Sequence, residues 1–181
     1  MVLATAAVLA GCAGQPGAAA VVDGTPIPTS DLQTALDEIK PYVPGATPSA
    51  VLGALVVEPT VSAMAAEAGV GGSDEDAKAY LDAVVKNVSP EAHPTFSPAS
   101  IAIGRYFVAF TNLSNLSNQN VVSDDITKRI ADLDVEVNPR FGTLGEDNKV
   151  APAVPPTWLV DPSAPKPADG QTPAPSPSAT P

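Results

Sequence analysis

Cysteine, histidine and basic residues are all scarce in this sequence of 181 residues. One cysteine, Cys12, excludes an intrachain disulfide framework, so any core must hold by packing alone. One histidine, His93, would have to serve any Ser–His–acid arrangement, and in "SPEAHPTFSP" it sits between two prolines, as in a loop rather than a strained nucleophile turn. A metal site would have to draw on carboxylates, yet the pairs Asp74/Asp76 and Asp124/Asp125 stand at helix starts, where capping accounts for them. The expectation is a protein that is not an enzyme, with no catalytic residue, no metal and no cofactor. Nine basic residues against 20 acidic ones give a net charge of −11, spread along the chain. That excludes the basic face needed for nucleic acid and electrostatic attachment to anionic lipid. "AGVGGSD" lacks both the lysine of a phosphate loop and the strand before it, and reads as a turn.

What is present begins at the N-terminus. "MVLATAAVLAG" carries no charge and closes on small residues, the composition of an export segment's apolar region and cleavage site. Eleven residues cannot span a bilayer, which takes about 20. Leu9-Ala10-Gly11-Cys12 resembles the lipobox of bacterial lipoproteins. The resemblance implies a diacylglyceryl group on the Cys12 thiol and cleavage before it, leaving the protein anchored in the membrane on its extracytoplasmic face. Export segments open with Lys or Arg and none occurs before Lys40, which points to a translation start upstream of Met1. The alternative is that "ATAAVLAGCAG" merely starts a helix, but "GCAGQPG" would end that helix early.

Residues 12–19 read as a short Gly/Ala tether and residues 151–181 as a Pro-rich, disordered tail of extended polyproline II character. Within that tail only "PPTWLV", with Trp158, is apolar enough to dock on the domain. Between these ends, five amphipathic helices are expected. Ser30 and Gln33 have capping-box spacing, with Leu32, Ala35, Leu36 and Ile39 behind them and Pro41 as a stop. Thr47 and Pro48 open a second helix carrying Val51, Leu52, Leu55 and Val56, with Pro59 expected to kink or split it before Met64. Ser73 caps a third with Ala77, Tyr80, Leu81, Val84 and Val88 on its apolar face, and acidic residues 74–76 at its positive end. Ser97-Pro98 opens a fourth, with Ile103, Tyr106, Phe107 and Phe110 on one face. A fifth runs from about Asp124 to Leu133 behind a Ser123 cap. The sequons beginning at Asn112 and Asn115 suit a polar loop.

At the flanks, "AAVVDGTPI" and "DLDVEVNPRFGTL" are β-branched, alternating segments with turn signals at Asp23-Gly24 and Asn138-Pro139. A lone two-stranded ribbon is marginal, so these strands are expected to pair antiparallel and fasten both ends of the helical bundle. The fold class is therefore mainly α, with a small β pairing of the N- and C-terminal segments, and the folded domain is placed at residues 20–150.

"AAVVDGTPIPTSDLQTAL" resembles the opening of SurA-type and PrsA-type extracytoplasmic chaperones, where a strand leads directly into a capped helix. "AMAAEAGVGGSDEDAKAYL" is similar to their small-residue turn between helices, and "DVEVNPRFGTL" resembles the closing strand of actinobacterial members. Many members carry a parvulin prolyl-isomerase module of around a hundred residues before that strand. Residues 98–133 leave no room for one. What the resemblance implies is the peptide-binding half without the isomerase: a lipid-anchored holdase for unfolded or newly exported polypeptides. Its candidate peptide-binding residues are Met64, Tyr80, Phe96, Tyr106, Phe107 and Phe110, although side chains at such helical spacing also serve as core. The alternative is a structural envelope lipoprotein with one defined cell-wall or protein partner.

Overall fold

A computed structural model describes residues 15–116 and 119–153. The export segment, Cys12, most of the Pro-rich tail including Trp158, and Ser117 of the second sequon lie outside these residues.

The chain begins with a hairpin, β1 (Ala18–Val22) and β2 (Thr25–Pro28). Its two-residue turn places Asp23 at φ 47° and Gly24 at φ 77°, the doubly left-handed geometry for which Asp-Gly is suited. After helices α1 (Thr29–Ile39), α2 (Pro48–Glu67), α3 (Asp74–Val88), α4 (Pro98–Ser114) and α5 (Gln119–Ala131), strand β3 (Val135–Val137) returns to pair antiparallel with β1, giving the order β2-β1-β3. A second ribbon, β4 (Thr143–Leu144) with β5 (Val150–Ala151), follows around a short 3₁₀ turn. The expected mainly α bundle, fastened by its two ends, is the observed architecture. Strand β1 takes in Ala18 and Ala19, which composition assigns to the tether. Ala19 sits in a bulge of that strand, fully buried, and its carbonyl accepts from the Asn138 N–H at 2.9 Å. The second β-branched segment is divided, because the Asn138 side chain accepts from the Arg140 N–H and turns the chain between β3 and β4.

Helix α2 is the axis of the bundle. It is apolar on nearly every side and is the one helix among the described residues long and apolar enough to cross a membrane, but here it is the packed centre of a globular core. Thr47 caps it through the Ala50 N–H. Pro59 lies inside it without splitting it: the helix runs unbroken through Glu67, held by packing on both sides. At one end Leu52, Leu55 and Val56 meet Leu32, Ala35, Ile103 and Phe141; at the other Val61, Met64 and Ala65 meet Ala109, Leu113 and Ile126.

Three helix starts divide cleanly by their caps. Ser73 and Asp76 form a reciprocal capping box on α3, and Ser97 caps α4 through the Ser100 N–H. On α1 the expected Ser30 box does not form. The helix starts two residues earlier behind Pro28, without a side-chain cap, and Ser30 donates instead to Asp31. Nor is Ser123 a cap, because α5 starts at Gln119 and Ser123 falls inside it. The first sequon is not in a loop either. Asn112 to Ser114 form the last turn of α4, with Leu113 buried and the Asn112 amide donating to the Val70 carbonyl at 3.0 Å.

Candidate functional site

Helix α4 runs alongside α2, and α3 closes on its other flank. Gly104 permits that approach, since a Cβ there would stand 2.7 Å from the Ala77 carbonyl oxygen. Helix α1 covers only the first part of α4. There Glu38 of α1 accepts from the Ser97 N–H (2.8 Å), the Ser97 hydroxyl (2.9 Å) and the buried Ser100 hydroxyl (2.6 Å). A carboxylate thus sits at the positive end of α4, supplied from another helix.

Further along, the same side of α4 loses this cover and turns aromatic. Tyr80 of α3 stacks on Phe107 at a centroid distance of 5.5 Å, Phe107 meets Tyr106 edge-on at 5.0 Å, and Tyr106 lies 6.0 Å from Phe110. Phe107 is 40% exposed and Phe110 is 43% exposed. Tyr106 is the inner member, half-buried against the α2–α5 side of the core, and its desolvation pushes the phenol above its ordinary pKa. Of the six candidate peptide-binding residues, four therefore form one continuous aromatic surface.

The other two do not join it. Met64 is buried in the core against Leu113 and Ala109, packed by the second half of α2. Phe96 stands on the α3–α4 loop, where it lines a depression with Lys78, Ile101 and Arg105. The expected face of α4 is likewise turned: Ser100, Ile103, Gly104, Ala109 and Leu113 are its buried residues, while Phe107 and Phe110 look outward. On α3 the inward residues are Ala77, Leu81 and Val85, and Val88 is half exposed.

Charged groups edge the site without crossing the aromatic surface. Arg105 donates to Glu58 at 2.9 Å and also to Asp74, and these hydrogen bonds hold its guanidinium above the ordinary range. Glu58, buried in apolar α2, also accepts from Ser62 at 2.9 Å. Arg129 of α5 grips both carboxylate oxygens of Glu67, at 3.1 and 2.8 Å, and lowers the Glu67 pKa. Sequence periodicity passes over Glu38 and Glu58. A lone carboxylate within an apolar helix was the available signal, because such a group requires a cationic partner.

A second concave surface lies on the α5 side of Tyr106. This cleft of about 420 Å³ is lined mainly by apolar atoms of Gly53, Val57, Tyr106, Ile130 and Val150. Asn148 builds its wall: at φ 55°, its amide donates to the Ile130, Ala131 and Leu133 carbonyls and closes the end of α5.

Three of the four carboxylates considered for metal have other occupations. Asp76 belongs to the Ser73 cap, Asp74 meets Arg105, and Asp125 lies 3.3 Å from Arg129. Among the described residues no cluster of three or more His, Cys, Asp or Glu side chains could hold a metal ion. His93 is exposed, beside Lys78, Asp82 and Lys86.

The fold and this surface define a five-helix domain fastened by its terminal strands and bearing an open aromatic ladder. Comparison of the chain with protein-family models, curated proteins and solved structures finds no match.

Proposed function

We propose that this protein is a holdase, anchored through acylated Cys12 on the extracytoplasmic face of the cell membrane, that binds unfolded or newly exported polypeptides without isomerising their prolines. The observation that carries this reading is the aromatic ladder Tyr80–Phe107–Tyr106–Phe110, whose two phenylalanines are both over a third exposed in a chain with only eight aromatic residues. Exposed aromatic rings offer large apolar area at small entropic cost and accept many side-chain sequences. The sequence resemblance to SurA-type chaperones points the same way. The anchor rests on the lipobox resemblance: two acyl chains at about 0.8 kcal/mol per buried CH₂ make such attachment stable, where a single chain would bind reversibly.

A second reading is a structural envelope lipoprotein that docks one folded partner, and the closed core favours it: Met64 is buried and the ladder is a surface, not a deep groove. One experiment separates the two. The full chain is titrated with a panel of extended, aromatic-rich peptides at low and high salt, alongside isolated cell wall. A holdase binds many peptides at micromolar strength or weaker, because ordering the peptide offsets much of the burial gain, and keeps that binding in high salt. Absence of salt-resistant peptide binding, together with tight binding to one envelope component, supports the structural reading instead. Prolyl cis–trans exchange in a test peptide stays at its uncatalysed rate.

A further inference from the structure

The cleft on the α5 side of Tyr106 is apolar, open and unoccupied by any described residue, and the chain itself leaves from its wall. Val150 of β5 lines the cleft, and the described chain runs only as far as residue 153. Beyond Ala153, large apolar side chains are confined to "VPPTWLV", residues 154–160; from Asp161 onward the only apolar residues are alanine and proline. One short stretch therefore gains from burial, and it directly follows the strand that forms the cleft wall.

Reach is sufficient. Trp158 stands eight residues beyond Val150, and eight extended residues span up to about 26 Å, which leaves slack for the chain to reverse direction. The chemistry also fits. The lining offers Val57, Ile130 and Val150, the last packed over Gly53, together with the ring of Tyr106, a stacking partner for an indole. "PPTWLV" carries no charge to bury in a lining that is mainly apolar, with Asp147 and Lys149 as its charged members, and the two prolines limit the conformational freedom lost on docking.

We propose that residues 155–160 of this chain fold back onto the cleft between α2, α4 and α5, seating Trp158 against Gly53, Val57, Tyr106 and Ile130. The docked segment covers the inner side of Tyr106 and leaves Phe107 and Phe110 open. This claim concerns the free protein and stands apart from client binding, so its test contains no client.

Trp158 is the single tryptophan in the sequence, and its emission reports on this segment alone. The full chain is compared with a free peptide of residues 151–181 by emission maximum and by acrylamide quenching, across a range of protein concentrations. The expected result is a blue-shifted Trp158 quenched several-fold less than in the peptide, independent of concentration. Thr127 is an exposed residue at the cleft rim, and Thr127→Lys should return the emission towards that of the peptide while the helical domain stays folded, its melting temperature falling only by what the docked segment contributes. Phe110→Ser should leave it shielded. A second variant, Thr127→Cys with Leu159→Cys in a Cys12→Ser background, should form an intrachain disulfide on mild oxidation. Peptide-like quenching in the full chain overturns the proposal. So does shielding that disappears on dilution, which would mean a second copy, or shielding that survives Thr127→Lys and is lost in Phe110→Ser, which would place the tryptophan on the aromatic ladder.

Discussion

The two ends of helix α4 solve the same problem differently. At its start, α1 lies across it, Ile103 is buried, and the Glu38 carboxylate satisfies the Ser97 and Ser100 donors. Two turns later the same side of the helix carries Phe107, stacked on Tyr80 of α3, and Phe110, both over a third exposed. A folded domain gains by covering its large aromatic residues, and this one has few. The C-terminal end of α1 meets the start of α4 through Glu38, and the core behind the ladder is complete. Buried side-chain donors and acceptors all find partners among the described residues, so the open surface is no sign of a poorly packed interior.

Substitutions at the two ends should therefore separate stability from binding. The largest stability loss is expected at the covered end. Leu52→Ala removes a fully buried side chain from the core beneath α1 and should cost about 2–5 kcal/mol in denaturant unfolding. Gly104→Ala forces a methyl group against the Ala77 carbonyl and should cost roughly 1–3 kcal/mol by separating α3 from α4. Ser73→Ala, which removes a cap remote from both ends, should cost about 1 kcal/mol.

The pH dependence of that cap has a definite sign. Hydrogen bonds from the Ser73 backbone and hydroxyl hold the Asp76 carboxyl below its ordinary pKa. A depressed carboxylate contributes stability that is fully present above its unfolded pKa, near 3.9, and is lost as pH falls through the lower folded value. Asp76→Asn, which removes the titrating group, should then flatten the acid limb of the stability curve, which a melting series from neutral to acid pH would read. Persistence of the full acid limb in the variant would assign it to other carboxylates, such as Glu67 beside Arg129.

How much of this arrangement could be read from sequence depends on whether the signal is local. Thr47-Pro48, Ser73 and Ser97-Pro98 mark helix starts because the cap and the groups it satisfies lie within four residues. The β1–β3 pairing was legible because both segments alternate and neither is stable alone. Ser30 misled because Pro28 already directs the chain into α1, and Ser123 because the helix had begun earlier. The facing of Phe107 and Phe110 was not legible at all. Ile103, Phe107 and Phe110 follow helical spacing on α4, and which of them is buried depends on the elements packed against that helix, not on the spacing. Glu38 escaped for the same reason, since its partners lie about sixty residues away.

A smaller stability effect than at the covered end is expected at the open end, together with the largest effect on binding. Phe107→Ser and Phe110→Ser remove half-exposed rings and their contacts with Tyr80 and Tyr106, and should cost about 0.5–1.5 kcal/mol each. The most direct test of the central claim is the affinity of the Phe107→Ser/Phe110→Ser double variant for extended aromatic-rich peptides, measured at high salt beside the unmodified chain and with Leu52→Ala as a stability control. The account predicts at least a tenfold loss of affinity in the double variant while it remains folded, with a melting temperature lowered less than in Leu52→Ala. Leu52→Ala should melt lower and still bind wherever it is folded. Undiminished peptide affinity in the double variant would contradict the account, because the exposed aromatic ladder would then not be the surface that holds the client.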